Sequence, residues 1–167
     1  MRFRFINSSR DFIFEKEKVN IFELNFPKWY SHRAEVSYNK SNIEIKPKSI
    51  WSNKYYIFKN SQEKGLINSN WKGEVSIQFY DQRNNKHVYK LMKRGFWKEI
   101  FEVYNEKMAL ITTVVKSLNW EKLNSNYELE NKAHNLEEKH FNELMIYIGF
   151  YLVLNKKNAA NASASYG

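Results

Sequence analysis

Residues 143–157 read ELMIYIGFYLVLNKK, an unbroken apolar and aromatic run from Leu144 to Leu154 closed by Lys156 and Lys157. The fold turns on what this stretch touches. A membrane-crossing helix needs about 20 apolar residues to span a hydrocarbon core of about 30 Å. Phe141 to Leu154 offers fourteen positions, with Asn142 and Glu143 among them, which at about 1.5 Å per residue cover roughly 21 Å. The segment is too short for a transmembrane span. It is also unsuited to a protein surface, because apolar side chains occupy every face of the helix it would form, and such a helix belongs inside something. Its expected extent is about 135–157. Asn135 stands at the start with Glu138 three residues on, a capping-box spacing. Glu137 and Glu138 suit the positive end of the helix dipole, and Lys156 and Lys157 the negative end. Gly149 sits mid-helix, where a missing side chain lets a backbone or a large ring come close.

Working back toward the N-terminus, the pattern changes from helical to period two. In RAEVSYN, Ala34, Val36 and Tyr38 share a face opposite Arg33, Glu35 and Ser37. In EVSIQFY, Val75, Ile77 and Phe79 oppose Glu74, Ser76 and Gln78; in NIFELNF, Phe22, Leu24 and Phe26 oppose Glu23 and Asn25. NIEIK and NYELE alternate in the same way. Strict alternation marks strands with one wet face. FRFIN, DFIFEK, KYYIFKN, KGLINSN, HVYKLMK, KEIFEVYN and MALITTVV are further strand candidates, rich in β-branched and aromatic residues. Of these KEIFEVYN also fits a short helix, and strand is preferred. Turn signals such as YNKSN, KNSQEKG and DQRNNK separate them. Strands recur about every ten residues with no amphipathic helix between, the spacing of an antiparallel meander or barrel rather than of βαβ units.

The expected architecture follows. Strands of six or seven residues are about 20 Å long, which matches the apolar helix. An antiparallel barrel whose inner face carries Phe, Ile, Val and Tyr, plugged by that helix, buries both sets of side chains and leaves few open edges. One domain is expected over residues 1–157, with 158–167 (NAANASASYG) as a small polar tail. The order of these pieces resembles the tubby C-terminal-like superfamily, which includes the plant LURP-one-related proteins and the phospholipid scramblases. The likeness runs from about Phe3 to Leu154 and rests on WKGEVSIQFYD and NYELE as barrel strands and LMIYIGFYLVL as the plug. It implies about twelve strands closed around a buried C-terminal helix. It also implies a role in binding membrane lipids, since members bind phosphoinositides or other lipids where a role is known.

Composition narrows the function. The chain of 167 residues carries a formal net charge of +9 and no cysteine, so disulfides, thiolate metal sites and cysteine nucleophiles are excluded. The start, MRFRFINSSRDFIF, lacks the apolar core and cleavage site of a secretory signal. Positive charge suits an anionic partner. Yet 21 of the 27 basic residues are Lys and Asn also occurs 21 times, a composition that an AT-rich genome produces without any ligand. The basic residues are spread along the chain, and nucleic-acid recognition needs a patch, so nucleic acid is not the expected partner.

No catalytic constellation emerges. Ser31 and His32 are neighbours in an extended stretch and point to opposite faces. His32 and His87 each stand alone, and Gly65, Gly73, Gly95 and Gly149 are isolated, so no phosphate loop is present. In HNLEEKHFNE, His134, Glu137, Glu138, His140 and Glu143 share helical spacings that a carboxylate-bridged metal site would use. Such a site needs a second helix, and none is found; a solvated first helical turn accounts for the same residues. No cofactor or metal is expected.

The best basic cluster is KHVYKLMKRGFWK, read as a hairpin bearing Lys86, Lys90, Lys93, Arg94 and Lys98 with Trp97 at its tip. Lysines supply attraction to anionic headgroups, and an interfacial Trp supplies contact. A lysine-studded edge that resists aggregation explains the same residues. The expectation is therefore a non-enzymatic binding module of bacterial type, cytoplasmic or at the membrane periphery, facing an anionic phospholipid surface or a protein partner. Two alternatives stand beside it. One is a barrel with an internal small-ligand cavity, a carrier or enzyme, which requires a gap beside Gly149. The other is a subunit that assembles through the apolar helix.

Overall fold

The computed structural model describes residues 1–5, 11–28, 32–49, 52–70, 73–95, 99–119, 124–131 and 136–164. Among the described residues twelve strands precede one helix, as the order of pieces predicts. They are β1 (Arg2–Phe5), β2 (Phe12–Lys16), β3 (Val19–Leu24), β4 (Ala34–Tyr38), β5 (Ser41–Pro47) and β6 (Lys54–Lys59). The remainder are β7 (Gln62–Ser69), β8 (Glu74–Tyr80), β9 (Lys86–Arg94), β10 (Ile100–Asn105), β11 (Leu110–Asn119) and β12 (Asn124–Asn131). KEIFEVYN is a strand, β10, paired with β9 and β11. The helix, α1, runs over Glu138–Ala164.

All twelve strands form one antiparallel sheet in the order β3-β2-β1-β12-β11-β10-β9-β8-β7-β6-β5-β4. Sequence neighbours are therefore spatial neighbours, except where β1 pairs with β12 and brings the two ends of the strand series together. The ring nearly closes. Its seam lies between β3 and β4, joined by a single bridge, Asn25↔Glu35, with Asn25 N–H donating to Glu35 O at 2.9 Å and Glu35 N–H to Asn25 O at 2.8 Å.

Inward faces are those that period two indicates. Val75, Ile77 and Phe79, Phe22, Leu24 and Phe26, Ile43 and Ile45, and Tyr127 and Leu129 are all buried. Inside them lies α1. Leu144, Met145, Ile146, Tyr147, Ile148, Phe150, Leu152 and Val153 are each 0 % exposed. Since those residues cover every side of the helix, strands must surround it. At Gly149 the helix presses on the β1–β2 ribbon: an added Cβ would meet Phe12 Cε1 at 2.8 Å and Phe3 Cε1 at 3.4 Å. The gap that an internal ligand requires at this position is filled by those rings. No helix among the described residues is long and apolar enough to cross a membrane.

The helix outruns the expected 157 and continues through Ala159 and Ala164. The physical reason is composition: alanine has the highest helix propensity of any residue, and the stretch 158–164 contains four, so the polar segment read as a tail extends the helix instead. Asn135, the expected cap, falls outside the described residues, and the helix begins at Glu138. Because strands alternate in direction, each mouth of the barrel has its own character. The mouth at the helix N-terminus, here the N mouth, carries tight two-residue turns with both residues at positive φ: Glu17 and Lys18, Asn39 and Lys40, Asn60 and Ser61. These are the turns whose twist matches that of a hairpin. The C mouth carries the end of α1.

Candidate functional site

The basic cluster lies on β9 and the connection after it. Period two divides it: Lys86, Lys90 and Arg94 share the outer face with Val88 and Met92, while Lys93 shares the inner face with Tyr89 and Leu91, both buried. Lys86 and Arg94 are eight residues apart, roughly 26 Å along a strand, so Lys86 belongs to the N mouth and Arg94 to the C mouth. Lys90 is exposed midway, opposite Ser76 on β8 and Tyr104 on β10. Trp97 and Lys98 lie outside the described residues. The hairpin exists, but its cations form a line down the barrel wall rather than one patch.

Two of those cations are matched by acids. Arg94 Nε lies 3.0 Å from Glu102 Oε2, and Tyr104 donates its hydroxyl to the same oxygen at 2.7 Å. Lys93 Nζ lies 3.0 Å from Glu99 Oε1. At the C mouth Lys93 does not stand alone. Lys116 on β11 reaches Glu99 Oε2 at 3.0 Å, and Asn155 on α1 donates to Glu99 Oε1 at 2.9 Å. Burial alone would raise the Glu99 carboxyl, but hydrogen bonds from Lys93 and Lys116 outweigh it and hold the group below its ordinary range. Next along the helix, Lys156 Nζ rests 3.9 Å above the Phe5 ring and Lys157 Nζ 4.2 Å above Phe26. Burial, then the charge of Lys116, lowers the Lys156 ammonium. Burial and Lys157 likewise lower His32. Cation thus presses on cation at this end of the barrel.

The N mouth is chemically different. It holds a hollow of about 290 Å³, open to solvent and lined by Tyr38, Asp81, Arg83, Lys139, His140 and Glu143 among others. Two histidines that the sequence leaves apart meet beside it. His87 on β9 and His140 on α1 pack edge to face with ring centroids 4.1 Å apart. His87 Nε2 lies 3.1 Å from Asp81 Oδ2, and His140 Nε2 lies 2.7 Å from the Tyr89 hydroxyl. Phe79 backs both imidazoles, at 5.7 Å from His87 and 5.1 Å from His140. Hydrogen bonds from Asn85 and His87 hold Asp81 far below the usual carboxylate range. Burial, then His87, lowers His140, against smaller opposing pulls from Glu143, Asp81 and Glu137. Burial pushes Tyr89 up to about 12, so its hydroxyl stays protonated.

Of the helical cluster HNLEEKHFNE, His134 lies outside the described residues. Glu143 turns inward, 2.6 Å from Lys59 Nζ, and accepts from the Tyr147 hydroxyl at 2.8 Å. Glu138 pairs with Lys16 at 2.6 Å. These acids bind the helix start to the wall, and no group of three metal-ligating side chains forms among the described residues. Two further hollows, about 360 and 310 Å³, also open to solvent. The apolar run of α1 packs inside its own barrel. Comparison with protein-family models, with curated proteins and with solved structures gives no match for this chain.

Proposed function

We propose that the protein is a non-enzymatic binding module that docks the C mouth of its barrel on an anionic membrane surface. One observation carries this reading: the two mouths differ in charge. Lys48, Lys54, Lys93, Arg94, Lys116 and Lys156 gather at the C mouth, where Glu99 and Glu102 answer only part of their charge and where burial, then Lys116, lowers Lys156. At the N mouth Asp81, Glu137, Glu138 and Glu143 offset much of the charge of Lys16, Lys59, Arg83, Lys86 and Lys139. A molecule charged on one end approaches an anionic plane end first. Each Lys or Arg near such a surface contributes about 1 kcal/mol, and the attraction fades within a Debye length. The resemblance in pattern to tubby-like barrels, whose members bind membrane lipids, adds to the reading.

The hairpin cations therefore act unequally. Lys93 and Arg94 face the membrane with the rest of the C mouth, Lys90 stands farther off on the wall, and Lys86 points away. Flotation with vesicles of phosphatidylcholine, with and without phosphatidylserine, tests the orientation. Binding is expected only with the acidic lipid, and it should weaken as salt rises. Reversing Lys93 and Arg94 to Glu should abolish it, whereas reversing Lys86 should leave it intact. Equal loss from both would overturn the end-on orientation, and no loss from either would overturn the reading itself.

A further inference from the structure

The arrangement around Glu99 is a built anion site. Three donors from three separate elements, Lys93 on β9, Lys116 on β11 and Asn155 on α1, converge on one carboxylate at 3.0, 3.0 and 2.9 Å. Lys156, immediately after Asn155, hangs over the Phe5 ring with no acid among its described partners. The mouth therefore holds more positive charge than Glu99 neutralises. A carboxylate offers two oxygens and one charge; a phosphate monoester offers three oxygens and up to twice the charge. Lysine binds phosphate as a point charge and adapts to that tetrahedral shape better than to a flat carboxylate.

Glu99 is also placed to give way. Its backbone carbonyl accepts from Lys116 N–H at 3.0 Å, which fixes the chain where β10 begins. The side chain can thus change rotamer without unzipping the β10–β11 ladder. The Glu99 side chain is 16 % exposed, so a path to solvent that avoids the core is open to it.

We propose that Lys93, Lys116 and Asn155 form a phosphate-binding cradle in which the Glu99 carboxylate is a resident stand-in, displaced when a phosphate monoester arrives and Lys156 turns off Phe5 to meet its third oxygen. This rests on the reading of the C mouth as the anion-facing end and names the group that the end recognises. Glu99 makes the site selective: a weak or singly charged anion does not displace it, and a phosphate dianion does.

The test uses the full chain and follows the side-chain amide signals of Asn155 by NMR during titration with inorganic phosphate at constant ionic strength. Phosphate should shift those signals saturably, and chloride should not. Glu99→Gln keeps the shape of the side chain and removes its charge, and should tighten phosphate binding about tenfold, one charged contact's worth. Adding Lys93→Gln and Lys116→Gln should erase the response. Vesicles separate the sources: phosphatidic acid, a monoester, preferred over phosphatidylserine at equal surface charge assigns the cradle to a lipid headgroup. Equal binding of the two lipids beside a saturable response to inorganic phosphate assigns it to a soluble phosphate. Asn155 signals that ignore phosphate in the wild-type protein would overturn the cradle, whether or not Glu99→Gln folds. Flotation on phosphatidylserine would still stand in that case, and the cradle would stand in turn if flotation failed while Asn155 responded.

Discussion

An added methyl group at Gly65 would run into the carbonyl oxygen of Gln78 and lie 2.9 Å from Phe79 Cα, both backbone atoms of the adjacent strand. Backbone held in a ladder cannot step aside, and Gly65 pairs with Ile57 on one side and Phe79 on the other. Gly65→Ala should therefore destabilise the barrel at the upper end of the range for overpacking, about 3 kcal/mol, read as a lowered urea midpoint. Gly149 is the milder case. There the obstacle is the Phe12 ring, at 2.8 Å from an added Cβ, and alanine would return about 1 kcal/mol of helix propensity. Phe12 is itself held between Phe3 at 4.8 Å and Phe5 at 4.9 Å. Gly149→Ala should thus still lose stability, by about 1 kcal/mol, and Gly149→Leu should prevent folding. That a mid-helix glycine admits a large ring is legible from the sequence. Which ring it admits is not, since Phe12 and Phe3 lie far away along the chain.

Among the elements, α1 shows most clearly what sequence spacing reveals and what it hides. Its apolar run, its acidic start and the inward pattern of the strands are all signals carried by neighbouring residues, and each survives in the fold. The pairing of His140 with His87 is not periodic. One residue comes from a helix and the other from a strand, and only the register of β9 in the ring brings them to 4.1 Å. This contact predicts a pH dependence. His140 is held below its ordinary value, by burial and then by His87, so the folded protein takes up this proton less readily than the unfolded chain. Its contribution is complete above about pH 6.5 and drains away as pH falls from there through the depressed folded value. His32, lowered by burial and by Lys157, acts in the same direction. Glu15 and Glu99 are carboxylates held below their ordinary range, so their losses begin only below about pH 4.5. Between those limits the wild-type urea midpoint should fall with acid. His140→Phe, which keeps a ring against Phe79, should show a shallower fall, and adding His32→Phe should flatten it further.

For the molecule as a whole, closure is the issue. Composition and alternation lead to a barrel around a plug, but nothing in them locates the seam, because NIFELNF and RAEVSYN alternate as cleanly as any other pair. On the C-mouth side of the one bridge the cause is chemical. Past the Asn25↔Glu35 bridge toward the C mouth, the next residue on β3's side able to repeat that pairing is position 27, and Pro27 has no N–H to donate. Side chains must hold what the backbone does not. Phe22 meets Tyr38 across the gap at 6.2 Å, and Phe26 stacks on Phe150 of the helix at 6.0 Å, with Tyr55 closing on Phe150 from the far side at 5.1 Å. Thus α1 acts as the strap that joins the two edges, as well as filling the core. Hydrogen exchange reports this directly, since local opening follows the weakest backbone pairing. Amides of β3 and β4 should exchange first, and those of β9 and β10, halfway round the ring, last. Phe150→Ala removes the ring that Phe26, just past β3, and Tyr55 on β6 share. It should cost about 3–5 kcal/mol and speed exchange in β3 and β4 more than in β9 and β10. Uniform acceleration in all four strands would mean instead that the helix supports the wall evenly and that the seam has no special dependence on it.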